Sequence, residues 1–224
     1  PEIDLAEVDL STTFLGHSLK VPLAISSMTG GAADTAQVNQ NLAETAQEMG
    51  IAMGVGSQRA MLEFTDMTYT FQVRKYAPDI LLFGNVGAVQ FNYGLTINQC
   101  QHIVDSIQAN ALILHLNPLQ EALQPEGDTN FKALLPKIEN LCKALQVPVI
   151  AKEVGTGISL ETAKQLINAG VSTIDVAGTG GTSWALVEMY RMKYPSRQNI
   201  ASQFADWGLS TADCLSSIRS AYPD

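Results

Sequence analysis

The side chains of this chain that could do chemistry fall in a few tight clusters. His115, Asn117, Gln120 and Glu121 lie within seven positions, Ser57-Gln58-Arg59 sets a hydroxyl beside a guanidinium, and Lys152 ends the apolar run Val149-Ile150-Ala151. A lysine on an apolar strand is costly to bury unless an anion meets it; the alternative is an ammonium that snorkels from the strand end to water. Alternation places His115 and Asn117 on one side of an extended strand. Pro118 then turns the chain, so Gln120 and Glu121 are collected at the same spot. Arg59 can grip a phosphate with two parallel hydrogen bonds, or pair with the surface carboxylate of Glu63. Met28-Thr29-Gly30 offers backbone groups, a hydroxyl and a glycine that lets the chain approach a flat ring; the alternative is a plain strand-to-helix turn. Asn85, in Gly84-Asn85-Val86-Gly87, is either a turn former or a polar contact. Thr182 closes the turn Gly178-Thr179-Gly180-Gly181-Thr182, whose amides suit a phosphate or a ring edge.

Something must bring these clusters together, and the hydrophobic rhythm supplies it. Six apolar runs, Val21 to Ser26, Ile51 to Val55, Ile80 to Phe83, Ala111 to Leu114, Val147 to Ala151 and Thr173 to Ala177, start 30, 29, 31, 36 and 26 residues apart. Each ends in one of the polar clusters, and most intervals carry a helix-period pattern. Repeated βα units of this kind predict an α/β fold, a TIM (β/α)8 barrel with the clusters converging at the C-terminal ends of its strands. Closure takes eight strands. Two units are therefore expected beyond Asp224, and the start at Pro1 in mid-pattern suggests that the extreme N-terminus is also missing. The expected organisation is a single incomplete barrel domain over 1–224.

Within it, residues 1–20 form a hairpin region, because Val8, Leu10, Thr12 and Phe14 alternate before a Gly16-His17 turn; this hairpin should plug the bottom of the barrel. Helical stripes are expected at Val38, Leu42, Ala46 and Met49, stopping at Gly50; from Ile97 to Ile107; and from Phe131 to Leu145. Ser159 should cap a helix that ends at Gly170, and Ser210 with Asp213 should open one carrying Leu215 and Ile218. An excursion from Trp184 to Trp207 interrupts the helix after the sixth strand.

Composition narrows the function class without choosing the reaction. At 224 residues, 46% hydrophobic, the chain can bury one substantial core. A net charge of -9 and a pI near 4.7 argue against a broad nucleic-acid surface, while Arg59 and Lys152 leave room for a local phosphate pocket. No run is long enough for a membrane span and no signal peptide opens the chain, so a cytoplasmic protein is expected. Cys100, Cys142 and Cys214 each fall on the apolar side of an expected helix and are read as buried free thiols.

The clusters also carry a resemblance. VPLAISSMTGG at 21–31, GVGSQR at 54–59, FGNVGA at 83–88, LHLNPLQE at 114–121, AKEVGTG at 151–157 and DVAGTGGTSW at 175–184 resemble the type 2 isopentenyl diphosphate isomerases. That family consists of FMN-dependent (β/α)8 enzymes interconverting isopentenyl and dimethylallyl diphosphate. The resemblance implies FMN contacts at Ser27, Met28, Thr29, Ser57, Asn85, Lys152 and Thr182. It implies substrate contacts at Ser57, Gln58, Arg59 and Gln120, a reacting centre served by Gln120, His115, Asn117 and Lys152, and Mg²⁺ on Glu121. NADPH would serve as the reductant of the flavin, and the protein would assemble as a tetramer or octamer. The family's N-terminal Arg-Lys and His group precedes the sequence, and its glycine-rich FMN phosphate site follows it. Trp184 and Trp207 are either walls of the hydrocarbon pocket or packing residues; His17, His102, Asp34 and Glu153 are read as structural. Two alternatives stand beside this one: an FMN-dependent 2-hydroxy acid oxidase or dehydrogenase, and a non-catalytic barrel fragment acting as a binding protein.

Overall fold

In chain order the strands are β1 (Thr12–Phe14), β2 (His17–Leu19), β3 (Ala24–Ile25), β4 (Ala52–Gly54), β5 (Leu82–Gly87), β6 (Ala111–Leu116), β7 (Val149–Glu153) and β8 (Thr173–Asp175). Between and after them run the helices α1 (Thr35–Met49), α2 (Arg59–Glu63), α3 (Ile97–Ile107), α4 (Pro118–Leu123), α5 (Leu134–Ala144), α6 (Leu160–Asn168), α7 (Trp184–Arg191), α8 (Pro195–Ser202) and α9 (Thr211–Ala221). The computed structural model describes residues 2–223; Pro1 and Asp224, the ends of the expected domain, lie outside the described residues. The chain divides into two compact units, Pro1–Asn85 with Gln101–Leu112, and Val86–Cys100 with Ile113–Asp224.

In the first unit β1 and β2 form the expected antiparallel hairpin, Phe14 opposite His17. Leu15 and Gly16 both have positive φ, 48° and 78°, the left-handed pair that a two-residue hairpin turn requires. The turn is therefore Leu15-Gly16 rather than Gly16-His17, and His17 belongs to β2. Phe14 meets Phe83 edge-on, ring centroids 6.4 Å apart, near the N-terminal end of β5. Val8 and Leu10 remain exposed, because the strand pairing begins only at Thr12 and gives them no partner face. Beyond the hairpin, β3, β4 and β5 run parallel, with Ala24 opposite Ala52 and Met53 opposite Leu82.

The second unit continues the pattern. β6, β7 and β8 are neighbours in that order, and Lys152 of β7 stands opposite Asp175 of β8 in parallel register. Ser159 caps α6 by accepting the Thr162 N–H at 3.2 Å, and Ser210 caps α9 by accepting that of Asp213 at 3.0 Å. Both caps are the ones the sequence announces. The architecture is α/β, with parallel strands followed by helices and six of the eight core strands that a (β/α)8 barrel requires.

Several expected boundaries and faces shift, each for a local reason. The 84–87 segment is the end of β5 rather than a turn: Asn85 carries its strand pairing through its own backbone, its carbonyl accepting the Gln58 N–H at 2.7 Å. The fifth run starts at Val149, just past Pro148, and continues through Lys152 and Glu153. On α1 the buried residues are Asn39, Ala43 and Ala46, with Val38 and Met49 exposed. The reason lies in Asn39, whose amide donates to the Thr29 carbonyl at 3.1 Å and the Thr70 carbonyl at 2.8 Å, so a polar anchor and two small residues face inward. α5 begins at Leu134 because Ala133 is left-handed, which leaves Phe131 outside the helix. The 184–207 excursion is itself helical, folding as α7 and α8. Leu215 on α9 is exposed and Cys214 beside it is buried; Cys100 is buried and Cys142 half-buried, all three as free thiols.

Candidate active-site groups and the family of the chain

The loops that follow β3, β4 and β5 build one group of polar residues within the first unit. Ser27 is buried, and its hydroxyl has no hydrogen-bond partner. Nearly all buried polar atoms in folded proteins are paired, so this hydroxyl is a candidate to hydrogen-bond a ligand atom. Met28 beside it is exposed. The Thr29 hydroxyl donates to Asn39 Oδ1 and its carbonyl accepts the Gly56 N–H at 2.6 Å, so the loop after β3 is fastened to the loop after β4. Gly30, at φ 143°, lies so close to Phe71 that a Cβ would stand 2.0 Å from the ring. No side chain fits there, and the glycine is dictated by packing.

After β4, Ser57 is exposed and available, whereas Gln58 is fully buried. The Gln58 amide donates to the Ile103 carbonyl at 3.2 Å and its oxygen accepts the Asn85 N–H at 3.1 Å. The Asn85 side chain donates in turn to the Val55 carbonyl at 3.3 Å. Gln58 thus ties the loop after β4 to the end of β5, which places Asn85. Arg59 pairs with Glu63 one helical turn on, Nε to Oε1 2.6 Å, with both side chains about half exposed. Such an exposed pair is worth at most about 1 kcal/mol and yields readily to a phosphate.

The second unit gathers the other group. His115 ends β6 beside Gly87, where a Cβ would lie 3.0 Å from Nε2. Burial, reinforced by the Lys152 ammonium, lowers its pKa from 6.5 to about 4, so the ring is neutral at physiological pH. Asn117 is 5% exposed and donates to Glu121 Oε1 at 2.9 Å and Gln120 Oε1 at 3.3 Å, while its own Oδ1 is buried without a partner. The second carboxylate oxygen of Glu121 accepts the Asp128 N–H at 2.7 Å. Lys152 is 8% exposed; its ammonium donates to the Glu153 carbonyl at 2.7 Å and stands 3.9 Å from Asp175 Oδ2. His115, Asn117, Gln120, Glu121 and Lys152 all belong to the second unit.

That unit also holds a cavity of about 330 Å³. Gln120, Thr182, Trp184 and Trp207 are all on its lining, together with Leu119 and Phe204. The two tryptophans are therefore wall residues of a chamber whose other lining comes largely from the glycine- and threonine-rich loops at 153–156 and 179–183. Two carboxylates went unrecognised as site builders in the sequence. Glu188 on α7 is 4% exposed, and its Oε1 accepts from both Gln120 and Gln124 at 3.0 Å. Its signal was the Trp184–Glu188 spacing of one helical turn, which puts the acid on the same face as the wall tryptophan. Glu153, read as structural, shapes the loop after β7 and lines the same cavity.

These geometries test which groups the residues fit. Within the second unit the buried ammonium of Lys152 suits an anionic group such as the ring of reduced FMN; within the first unit, taken by itself, the buried Ser27 hydroxyl suits a hydrogen-bonding ligand atom. For metal, the described residues contain no group of three or more His, Cys, Asp or Glu side chains able to hold an ion. Glu121 alone meets a magnesium requirement only where phosphate and water complete the shell. Among the described residues no helix is long and apolar enough to cross a membrane.

No family model matches the chain. In structure it is similar to two mandelate oxidases, one with benzoyl-formic acid (14% identity, TM-score 0.51) and one with a C4a-OH-FMN adduct (15%, 0.50), covering 76% of this chain and 52% of theirs in each case. That likeness shows the fold. In sequence it is 56% identical over its whole length to the isopentenyl-diphosphate delta-isomerase of Nostoc sp., and 55% identical over 98% of its length to that of Rickettsia canadensis. The chain spans 64% of each relative's length. With more than half of its residues shared across its length, this chain is similar throughout to the isopentenyl-diphosphate delta-isomerases.

Proposed function

We propose that the intact protein interconverts isopentenyl and dimethylallyl diphosphate by proton transfer at carbon, with reduced FMN as cofactor. The observation that carries this reading is the identity of more than 50%, over 98–100% of the chain, to isopentenyl-diphosphate delta-isomerases. Reduced FMN, when bound, supplies a negatively charged ring that can give and accept a proton next to an alkene. Ser27, Met28, Thr29, Ser57 and Asn85 from the first unit, and Lys152 and Thr182 from the second, are its proposed contacts. Lys152 compensates the ring's negative charge, a duty suited to an ammonium held away from water.

The remaining residues divide the substrate between them. Ser57 and Arg59 take the diphosphate, helped by magnesium on Glu121; Gln58 acts through the position it gives Asn85. Gln120, oriented by Glu188, faces the reacting carbons. His115, neutral in its packed setting, and Asn117, with an unpaired carbonyl oxygen, donate or accept hydrogen bonds there without adding charge. Trp184 and Trp207, both on the cavity lining, are the proposed wall for the hydrocarbon. NADPH serves only to reduce the flavin. Assembly as a tetramer or octamer, a cytoplasmic location and a single barrel domain belong to the same reading.

The 2-hydroxy acid oxidase alternative draws support from fold alone, since its structural relatives share 14–15% identity. The decisive experiment supplies isopentenyl diphosphate, FMN, Mg²⁺ and reductant to the intact protein in deuterated water. The expected result is allylic product carrying solvent deuterium, with reductant needed in catalytic amounts only. Consumption of one NADPH per product, or turnover with the flavin held oxidised, overturns the proposal in favour of an oxidoreductase.

A further inference from the structure

Glu153 is the least conspicuous acid in this part of the molecule and the most heavily engaged. It is 5% exposed, at the C-terminal end of β7. Its Oε2 accepts three successive backbone N–H groups, Val154 at 2.7 Å, Gly155 at 2.8 Å and Thr156 at 2.6 Å, while Oε1 accepts the Thr156 hydroxyl at 2.7 Å. Consecutive amides converging on one point form an anion-binding concavity. Here the anion comes from the chain itself, so the loop closes on its own carboxylate.

Two consequences meet at this loop. Lys152 Nζ donates at 2.7 Å to the carbonyl of Glu153, the same residue whose side chain is locked to the loop. The peptide plane that orients the ammonium is therefore fixed at one end by β7 and at the other by the four-donor clamp. The clamped loop also supports the cavity wall. A Cβ at Gly155 would sit 3.1 Å from the Thr182 carbonyl oxygen, and the Thr156 carbonyl accepts the Leu209 N–H at 2.9 Å. Neutral donors satisfy the buried carboxylate, so it places Lys152 without drawing the ammonium toward itself.

We propose that Glu153 is the positioning residue for Lys152: by pinning the 154–156 amides it fixes the carbonyl that holds the Lys152 ammonium. The functional consequence rests on the proposed role of Lys152 toward reduced flavin; the structural link does not. Glu153→Ala removes the clamp. Glu153→Gln keeps an oxygen for the three amides and lets the Thr156 hydroxyl turn to accept from the new NH2, so it should rescue most of the effect.

The test reads Lys152 directly. In the flavin-free intact protein, competitive acylation of Lys152 followed by mass spectrometry should run roughly threefold or more faster in Glu153→Ala, as the local structure opens, and within about twofold of wild type in Glu153→Gln. Amide exchange at 154–156 reports whether the clamp has opened. With flavin present, the preference for reduced over oxidised FMN should drop about tenfold in Glu153→Ala, the scale of one lost charge-assisted contact. Opened amides with unchanged Lys152 acylation, or a Glu153→Gln protein that behaves like Glu153→Ala, overturn the proposal. Should Glu153→Ala fail to fold, Glu153→Asp, one methylene short of reaching all four donors, takes its place. Lys152→Met separates the two ideas: an unchanged flavin preference there removes the flavin role of Lys152, while the acylation result still decides whether Glu153 positions it.

Discussion

Acid should destabilise this protein through His115 before it protonates most carboxylates. The imidazole is held neutral by burial first and by the Lys152 ammonium second, with a folded-state pKa of about 4 against 6.5 when unfolded. Between those values the unfolded chain binds a proton that the folded one refuses, so stability falls as pH is lowered through that window. At pH 7 both states carry a neutral ring and the penalty is close to nil. At pH 5 the unfolded histidine is almost wholly protonated and the folded one hardly at all, which costs about 2 kcal/mol; the full loss near pH 4 approaches roughly 3 kcal/mol. For a domain whose total stability is about 5–15 kcal/mol, that is a large fraction. The measurement is urea unfolding of wild type and His115→Gln at pH 7 and pH 5, comparing midpoints at constant slope. Glutamine does not titrate, so the wild type should lose about 2 kcal/mol more than the variant over this interval, whatever the carboxylates contribute to both. Parallel losses in the two proteins would show that the ring is protonated in the folded state and refute the account of a neutral His115.

Gly30→Ala should cost about 2–5 kcal/mol, because its Cβ would stand 2.0 Å from the buried Phe71 ring on a backbone at φ 143°; a midpoint within 0.5 kcal/mol of wild type, roughly the scale of a neutral surface change, contradicts the packing. Glu188→Ala strips the shared acceptor from Gln120 and Gln124 and should cost about 1–3 kcal/mol for the stranded amides; the accompanying loss should appear in kcat more than in KM, and unaltered turnover would detach Gln120 from the chemistry. Glu121→Gln should abolish isomerisation while leaving flavin absorbance intact, and full turnover at limiting Mg²⁺ argues against Glu121 as the metal ligand.

Much of this molecule was legible in the sequence, and what was legible shares a cause. Strand positions follow from short apolar runs, and the caps at Ser159 and Ser210 follow from a hydroxyl preceding a helix-period stripe. Both are local signals. His115, Asn117, Gln120 and Glu121 were readable as a group because they fall within seven positions and Pro118 enforces the turn. What misled was the assumption that the most apolar face is the buried one. On α1 the buried face is chosen by Asn39, whose amide has two carbonyls to satisfy 10 and 31 residues away. Helical periodicity cannot see those partners. The same holds for Gln58: beside Ser57 and Arg59 it looks like a ligand-binding residue, yet its amide is committed to Ile103 and Asn85.

The buried carboxylates show where sequence reasoning stops. Acids are rarely buried, so Glu153 and Glu188 were natural candidates for solvated surface or plain structural duty. Each is nonetheless almost fully enclosed: Glu188 has two carboxamides and an ion pair with Arg191 Nη1 at 3.5 Å, whereas Glu153 is satisfied by neutral donors, loop amides and a hydroxyl. Solvation by fixed dipoles rather than by a counter-ion lets a negative charge be buried without neutralising a nearby cation. That distinction matters for Lys152, the residue whose positive charge the proposed chemistry needs. An acid paired directly to it would leave little net field for an anionic ring, whereas one anchored to amides leaves the ammonium oriented and still electrostatically available. Its 3.9 Å separation from the partly exposed Asp175 is consistent with the same arrangement, because a long, solvent-screened pair competes weakly with a ligand placed at hydrogen-bond distance.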